Sequence, residues 1–213
     1  MLKLLIGNKN YSSWSLRAWL ALKQTGAPFE EVLIPLDQPT TAQELGRRSP
    51  SGRVPCLVDG PLAIWDSLAI CEHLAERFPH AGLWPVDPAA RAIARSVSAE
   101  MHSGFPTVRA QMSMDLRATR PTPPSSAALA QELTRIQALW ADCLQRFGQG
   151  GPFLFGDACV ADAMFAPVVS RFRTYGVPLE GRLSTYADAV WALPAMQEWA
   201  AAARAEPWEL PNH

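Results

Sequence analysis

Four cysteines in 213 residues (Cys56, Cys71, Cys143 and Cys159) form no C-x-x-C pair, so neither a disulfide framework nor a dithiol redox motif is encoded. So few thiols in a chain of this length suit a reducing compartment. The four histidines (His73, His80, His102 and His213) lack metal-ligand spacing to one another or to the cysteines, and no metal is expected. Of these, only His102, in Glu100-Met101-His102-Ser103-Gly104-Phe105, stands out, and helix packing is its expected role. An excess of charge is missing too: 19 basic and 20 acidic side chains leave a net charge of −1, which excludes the basic field of a nucleic-acid binder. No apolar run reaches membrane-spanning length, and Met1-Leu2-Lys3 runs straight into a predicted strand rather than a signal peptide. A cytoplasmic protein is the expectation.

The sequence contains a strand, loop and helix near its start, followed by further strands. Leu2 to Ile6 is a short apolar run ending at Gly7-Asn8, and it predicts a buried strand. Trp14 to Lys23 is rich in helix formers and closes at Gly26 with Pro28 beyond, so Ser12 or Ser13 is the expected N-cap. A hydroxyl there sits among unpaired N–H groups at the positive end of a helix dipole, which favours an anion. Phe29 to Leu36 predicts a second strand, Gln43-Glu44-Leu45 a short helical piece, and Pro50-Ser51-Gly52 a turn. Arg53 to Val58 and Leu62 to Trp65 predict two more strands around Asp59-Gly60. Pro55 lacks a ladder donor and marks an edge or a cis bond; a cis bond would turn the Val54 backbone towards a ligand. Asp66-Ser67 opens the next helix, again offering a carboxylate, a hydroxyl and exposed amides. Taken singly, each of these residues is explained by ordinary capping or an ordinary edge strand.

Tyr11-Ser12-Ser13-Trp14-Ser15-Leu16-Arg17, Pro50 to Leu57 and Ile64-Trp65-Asp66-Ser67-Leu68-Ala69-Ile70 together resemble the N-terminal domain of the cytosolic glutathione transferases, most closely the serine-type, zeta-like and bacterial classes. The resemblance implies an α/β thioredoxin-like domain at residues 1–79, a linker at 80–87 and an all-helical domain at 88–213. It also implies glutathione as co-substrate, no metal, and a homodimer. Ser12 matches the thiol-activating serine. Val54, before Pro55, would pair with the cysteinyl backbone of glutathione, and Asp66 and Ser67 would hold its γ-glutamyl end; Ser13 and Arg53 complete the expected glutathione set. Gln38 is a candidate for the glycine carboxylate. The family's zeta members resemble Ser-Ser-Cys where this chain has Ser12-Ser13-Trp14, which argues against a specific isomerase of maleyl-type acids. The loop has no cysteine, which argues against thiol–disulfide chemistry.

One serine is energetically sufficient. Lowering a thiol by about two units from its free value near 8.5 needs about 2.7 kcal/mol. A hydrogen bond to an ionised group supplies about 1.5–3 kcal/mol and a helix N-terminus about 0.3–1 kcal/mol. The expected activity is addition of the thiolate to a small apolar electrophile. A non-catalytic binding module and a glutathione-dependent isomerase or peroxidase are the alternatives.

The second half reads as helices only. Phe78 to Pro88 holds three prolines and a glycine, and Asp87-Pro88 has the chemistry of a helix start. Residues 89–116 predict one long helix, interrupted at Gly104 and Pro106, and a break at Pro121 to Ser126 precedes a helix over 129–147. Gly156-Asp157-Ala158-Cys159-Val160-Ala161-Asp162 resembles the family's helix-start box, with cysteine where Ser or Thr is usual. The electrophile site is expected between the domains at Tyr11, Met101, Phe105, Arg109 and Met112, where flexible and aromatic side chains suit a tolerant cavity.

Overall fold

The computed structural model describes residues 1–124 and 126–210; Ser125, in the predicted break, and His213 lie outside the described residues. The order is β1 (Leu2–Ile6), α1 (Ser13–Gln24), β2 (Phe29–Leu33), α2 (Thr41–Arg48), β3 (Cys56–Asp59), β4 (Leu62–Trp65) and α3 (Ser67–Arg77). The helices α4 (Pro88–Ser103), α5 (Pro106–Gln111), α6 (Ala127–Arg146), α7 (Val160–Thr174), α8 (Arg182–Ala192) and α9 (Pro194–Ala205) follow.

The sheet runs β2-β1-β3-β4. β2 lies parallel to β1 because α1 crosses over between them, whereas β3 is antiparallel to β1 and turns tightly into β4. This is the thioredoxin-like layer that the family resemblance implies, with a helical region after it. Two strands are shorter than the apolar runs suggest. β3 begins at Cys56 rather than Arg53, since Pro55 has no N–H for the ladder and Cys56 is the first residue to pair with both Leu5 and Trp65. β2 stops at Leu33, before Pro35.

Helix α1 is the centre of the molecule. Every residue from Ser15 to Leu22 is buried, packed between α3 of its own layer and α7 and α9 of the helical region. Helix α7 is equally enclosed, from Val160 through Phe172. Helices covered on all sides are usually apolar all round, so a charged residue inside either one is conspicuous: α1 carries Arg17 and α7 carries Arg171.

The predicted long helix breaks where expected. Gly104 ends α4, Phe105 takes a left-handed conformation (φ 58°), and Pro106 opens α5. A side chain at Gly104 would meet the Glu100 carbonyl at 2.7 Å, so that approach requires glycine. Asp87 caps α4 through its carboxylate to the Ala90 N–H at 2.7 Å. Cys159 and Asp162 form the expected reciprocal box at the start of α7, with the Asp162 carboxylate accepting from Cys159 N–H at 2.8 Å and from Leu154 N–H at 3.3 Å.

Candidate functional site

Two adjoining hollows lie at the C-terminal side of the sheet, where α1 and α3 begin. They share Trp14, Arg53 and Val54. The first, about 470 Å³, is lined by Trp14, Ser51, Arg53, Val54, Pro55, Trp65, Asp66, Ser67 and His102. The Val54-Pro55 peptide bond is cis. Asp66 sits at φ 75° as the N-cap of α3, its Oδ1 accepting from Leu68 N–H at 2.9 Å and Ala69 N–H at 3.3 Å. Ser67 follows it, buried, with a hydroxyl that has no partner among the described residues. A buried polar group without a partner is costly, and here it lies in the wall of an open cleft.

His102 reaches this cleft from α4, which the sequence had placed in helix packing. Its Nε2 lies 3.0 Å from Asp66 Oδ2, its ring meets Trp14 edge-on at 5.2 Å, and its Nδ1 is buried without a partner among the described residues. The side chain does pack, but on the wall of the cleft, so the second domain contributes to the pocket of the first.

The second hollow, about 370 Å³, contains the serines. Ser12, Ser13, Tyr11, Trp14, Leu36, Leu45, Arg109, Ser113, Met114 and Arg171 line it beside the shared residues. Ser12 is the N-cap of α1. Its hydroxyl donates to Ser15 Oγ at 2.7 Å and accepts weakly from Ser15 N–H at 3.4 Å, while Ser15 Oγ also accepts from Gly7 N–H at 3.0 Å. Capping and site membership therefore coexist at Ser12, whose hydroxyl proton can turn from Ser15 to a ligand. Ser13 lies beside it, equally buried.

Electrostatics distinguish this hollow. Arg109, Arg171 and exposed Arg53 line it without any carboxylate among the described residues, and Arg17 lies beneath, stacked on Trp14 at 4.3 Å. Arg17 is wholly buried and its three guanidinium nitrogens have no hydrogen-bond partner among the described residues. Burial first, then repulsion by Arg171 and Arg109, pulls it down to about 9. Burial and the neighbouring Arg109 take Arg171 to about 10, and burial lowers Arg109 as well. Three cations that penalise one another's charge make a site that gains from an anion. Two of the three hollow-lining arginines are held by carbonyls: Arg109 by those of Met101 (3.1 Å), His102 (3.4 Å) and Gly104, Arg171 by those of Met112 (2.7 Å) and Pro167 (3.3 Å).

The structure thus brings Ser12, Ser13, Arg53, Val54, Pro55, Asp66, Ser67, Tyr11 and Arg109 to the two hollows. It does not bring Met101, Phe105 or Met112. All three belong to the buried core, because the faces they occupy on α4 and around α5 turn inward, and Met101 and Met112 offer only their carbonyls to the arginines. Gln38 is turned to its own loop, donating to Leu36 O at 3.3 Å. Trp14, Ser113, Met114 and Arg171 are wall residues that sequence reasoning missed. The signal for Arg171 was present: an arginine that follows the apolar run from Ala163 to Val169 inside the same helix.

Residues 11–77 match the family model for the glutathione S-transferase N-terminal domain. That segment of the chain is similar to the N-terminal domain of the glutathione S-transferases. A glutathione S-transferase of Triticum aestivum is 27% identical over 193 residues, 87% of each chain. A stringent starvation protein A homologue of Pasteurella multocida is 29% identical over 162 residues, 76% of this chain and 71% of its own. Among solved structures, a glutathione transferase homologue from Burkholderia gl BGR1 with bound glutathione superposes with a TM-score of 0.73 at 24% identity, covering 96% of this chain and 98% of its own. Maleyl pyruvate isomerase, a bacterial zeta-class glutathione S-transferase, does so with a TM-score of 0.73 at 23% identity, over 98% and 100%. These structures extend the fold across both regions. Among the described residues no cluster of His, Cys, Asp and Glu is placed to hold a metal ion, and no helix is long and apolar enough to cross a membrane.

Proposed function

We propose that this chain is a glutathione transferase that binds glutathione along the first hollow, ionises its thiol beside Ser12, and adds the thiolate to an electrophile that carries an acidic group. The observation that carries the reading is the contiguity of the two hollows. One presents the Val54 backbone, Asp66 and the unpartnered Ser67 hydroxyl; the other presents Ser12 with arginines and no carboxylate among the described residues.

Glutathione's zwitterionic γ-glutamyl end fits Asp66 for its ammonium and the Ser67 hydroxyl, at the positive end of α3, for its carboxylate. Backbone groups at Val54 suit the peptide of its cysteine, as in strand addition. The thiol then falls near Ser12, at the N-terminus of α1. Ser12 Oγ turns its proton from Ser15 to the sulfur and stabilises the thiolate, helped by the dipole of α1 and by the field of Arg17. The carbon under attack is held against that sulfur, so proximity does the remaining work.

The wall of the second hollow refines the expected apolar electrophile. Leu36, Leu45 and Met114 suit an apolar body, while Arg109 and Arg171 suit a carboxylate at one end. The structural similarity to maleyl pyruvate isomerase supports the same chemistry of substrate, although Trp14 stands where that class resembles cysteine. The proposed assembly is a homodimer in the cytoplasm, as the family resemblance implies.

The test is the kcat/KM ratio for two electrophiles of matched reactivity, one with and one without a carboxylate. At least a tenfold preference for the acid is expected, reduced in Arg109→Met. A preference for the neutral compound would return the reading to an apolar electrophile. Binding of glutathione without turnover of either would favour a binding module.

A further inference from the structure

The segment that follows α9 runs back across the molecule to the loop that precedes Ser12. Glu206 is the first residue after α9, and its carboxylate accepts from Lys9 N–H at 2.7 Å and from Asn10 N–H at 3.1 Å. Arg117 ties the same two segments together from the other side. Its guanidinium donates to the carbonyls of Glu206 (3.0 Å) and Trp208 (2.7 Å) and to the Tyr11 hydroxyl (2.8 Å). The Leu210 N–H also approaches that hydroxyl, at 3.4 Å, and Trp199 of α9 donates to the Lys9 carbonyl at 2.8 Å.

The side chains of residues 8–11 are anchored from several sides: Asn10 donates to Asp115 Oδ1 at 2.8 Å and accepts from Arg117 N–H at 3.2 Å, Asn8 Oδ1 accepts from Leu36 N–H at 2.8 Å, and Lys9 Nζ pairs with Glu31 at 2.6 Å. The Asn8 carbonyl accepts from Tyr11 N–H at 3.1 Å and Ser12 N–H at 2.8 Å, closing a tight turn whose outward amides are those of Lys9 and Asn10. Those anchors act on side chains and carbonyls; without Glu206 the two amides would have no acceptor among the described residues, and the backbone of the turn would lose the bonds that set its tilt. Any rocking is passed directly to Ser12, because Ser12 N–H is itself one of the turn's donors.

We propose that Glu206 is a positioning residue for Ser12: a carboxylate from the far end of the fold that fixes the serine loop by a two-pronged grip on adjacent backbone amides. The inference rests on the proposed role of Ser12, and it adds a remote element on which that role depends. Glu206 lines neither hollow, so it touches no ligand there. Its effect is on where the Ser12 hydroxyl stands relative to a bound thiol, since a displacement of about 1 Å is enough to cost a catalytic contact its value. Glutathione's other anchors, at Val54, Asp66 and Ser67, lie beside β3 and at the start of α3 and are independent of the grip.

The experiment uses the full chain as wild type, Glu206→Ala and Glu206→Gln. It follows amide hydrogen exchange at Lys9 and Asn10, the titration of bound glutathione's thiol, and kcat against the KM for glutathione. The expected result for Glu206→Ala is faster exchange at both amides, a thiol titration about one unit higher, and kcat about tenfold lower with KM for glutathione within about twofold. Glu206→Gln keeps one carbonyl oxygen and should recover part of each effect; it also serves as the readout if the alanine variant fails to fold. Unchanged exchange at Lys9 and Asn10 would overturn the grip. Faster exchange with an unmoved thiol titration and unmoved kcat would overturn the positioning role. A wild-type protein whose bound thiol titrates like free glutathione would instead sink the role of Ser12, and the positioning role with it, while the exchange data would still judge the grip.

Discussion

Replacing Arg17 by Met should make the empty protein more stable and its bound thiol less acidic. Arg17 is wholly enclosed in α1, its nitrogens have no hydrogen-bond partner among the described residues, and burial with two neighbouring arginines takes it from 12.5 to about 9. At neutral pH the charge is retained in both folded and unfolded chains. The folded state therefore carries a penalty of about 5 kcal/mol, at about 1.36 kcal/mol for each pH unit by which the guanidinium is lowered. Stacking on Trp14 at 4.3 Å returns about 2 kcal/mol in a dry setting. Methionine fills most of the same stem volume without the charge, as when buried ions elsewhere are exchanged for apolar residues. A net gain of about 3 kcal/mol follows, which for a chain of this length is about 6–12 °C in Tm. Differential scanning calorimetry of the ligand-free protein reads that gain, and ultraviolet titration of bound glutathione reads the accompanying loss of thiolate. A fall in Tm would refute the reasoning, because it would mean that the guanidinium is structurally satisfied and its charge is not held for a ligand.

Other outcomes can be read independently. Ser67→Ala should weaken glutathione about 10–100-fold by calorimetric titration, the worth of a hydrogen bond to a charged carboxylate, without lowering Tm, since the hydroxyl is unpartnered among the described residues. Asp162 is held up at about 6, chiefly by burial and against the hydrogen bonds it accepts. An acid raised above its unfolded value stabilises the fold fully below about 4 and loses that contribution as pH rises to about 6. Denaturant midpoints should therefore show the deficit of Asp162→Asn shrinking between pH 4 and 7, and a constant deficit would contradict the assignment. At the start of the same helix, Cys159→Ser replaces a weak cap by a strong one and should raise stability by a few tenths to about 1 kcal/mol; an unmoved or lower Tm counts against it.

Much of the first layer is legible in sequence because its signals are local. The apolar runs, the Asp59-Gly60 turn and the serine and aspartate caps each act within a few residues of themselves. Cys56 and Leu33 mark where the sequence overextends, as proline removes the donor a ladder needs and that loss is easily read as a mere edge. The second hollow is less legible. Its wall is assembled from pieces far apart in the chain, among them α1, α2, the stretch before β3, α5 with the segment after it, and α7, so whether Met112 or Met114 faces it depends on how one short irregular stretch is turned. Arg17 and Arg171 carry a legible contradiction, a charge inside an apolar helix, but the sequence does not say that the two contradictions meet. Likewise the pairing of His102 with Asp66, and of Glu206 with the Lys9 and Asn10 amides, spans separations that no periodicity encodes.

The central claim is that Ser12 makes a thiolate of bound glutathione. The ultraviolet absorbance of that thiolate, followed against pH in the wild type, Ser12→Ala and Ser13→Ala, tests it most directly. A titration about two units below that of free glutathione, kept in Ser13→Ala and lost in Ser12→Ala, is the predicted result. A shift that survives Ser12→Ala and vanishes in Ser13→Ala would move the role to the neighbouring hydroxyl, and an unshifted titration in the wild type would contradict the account.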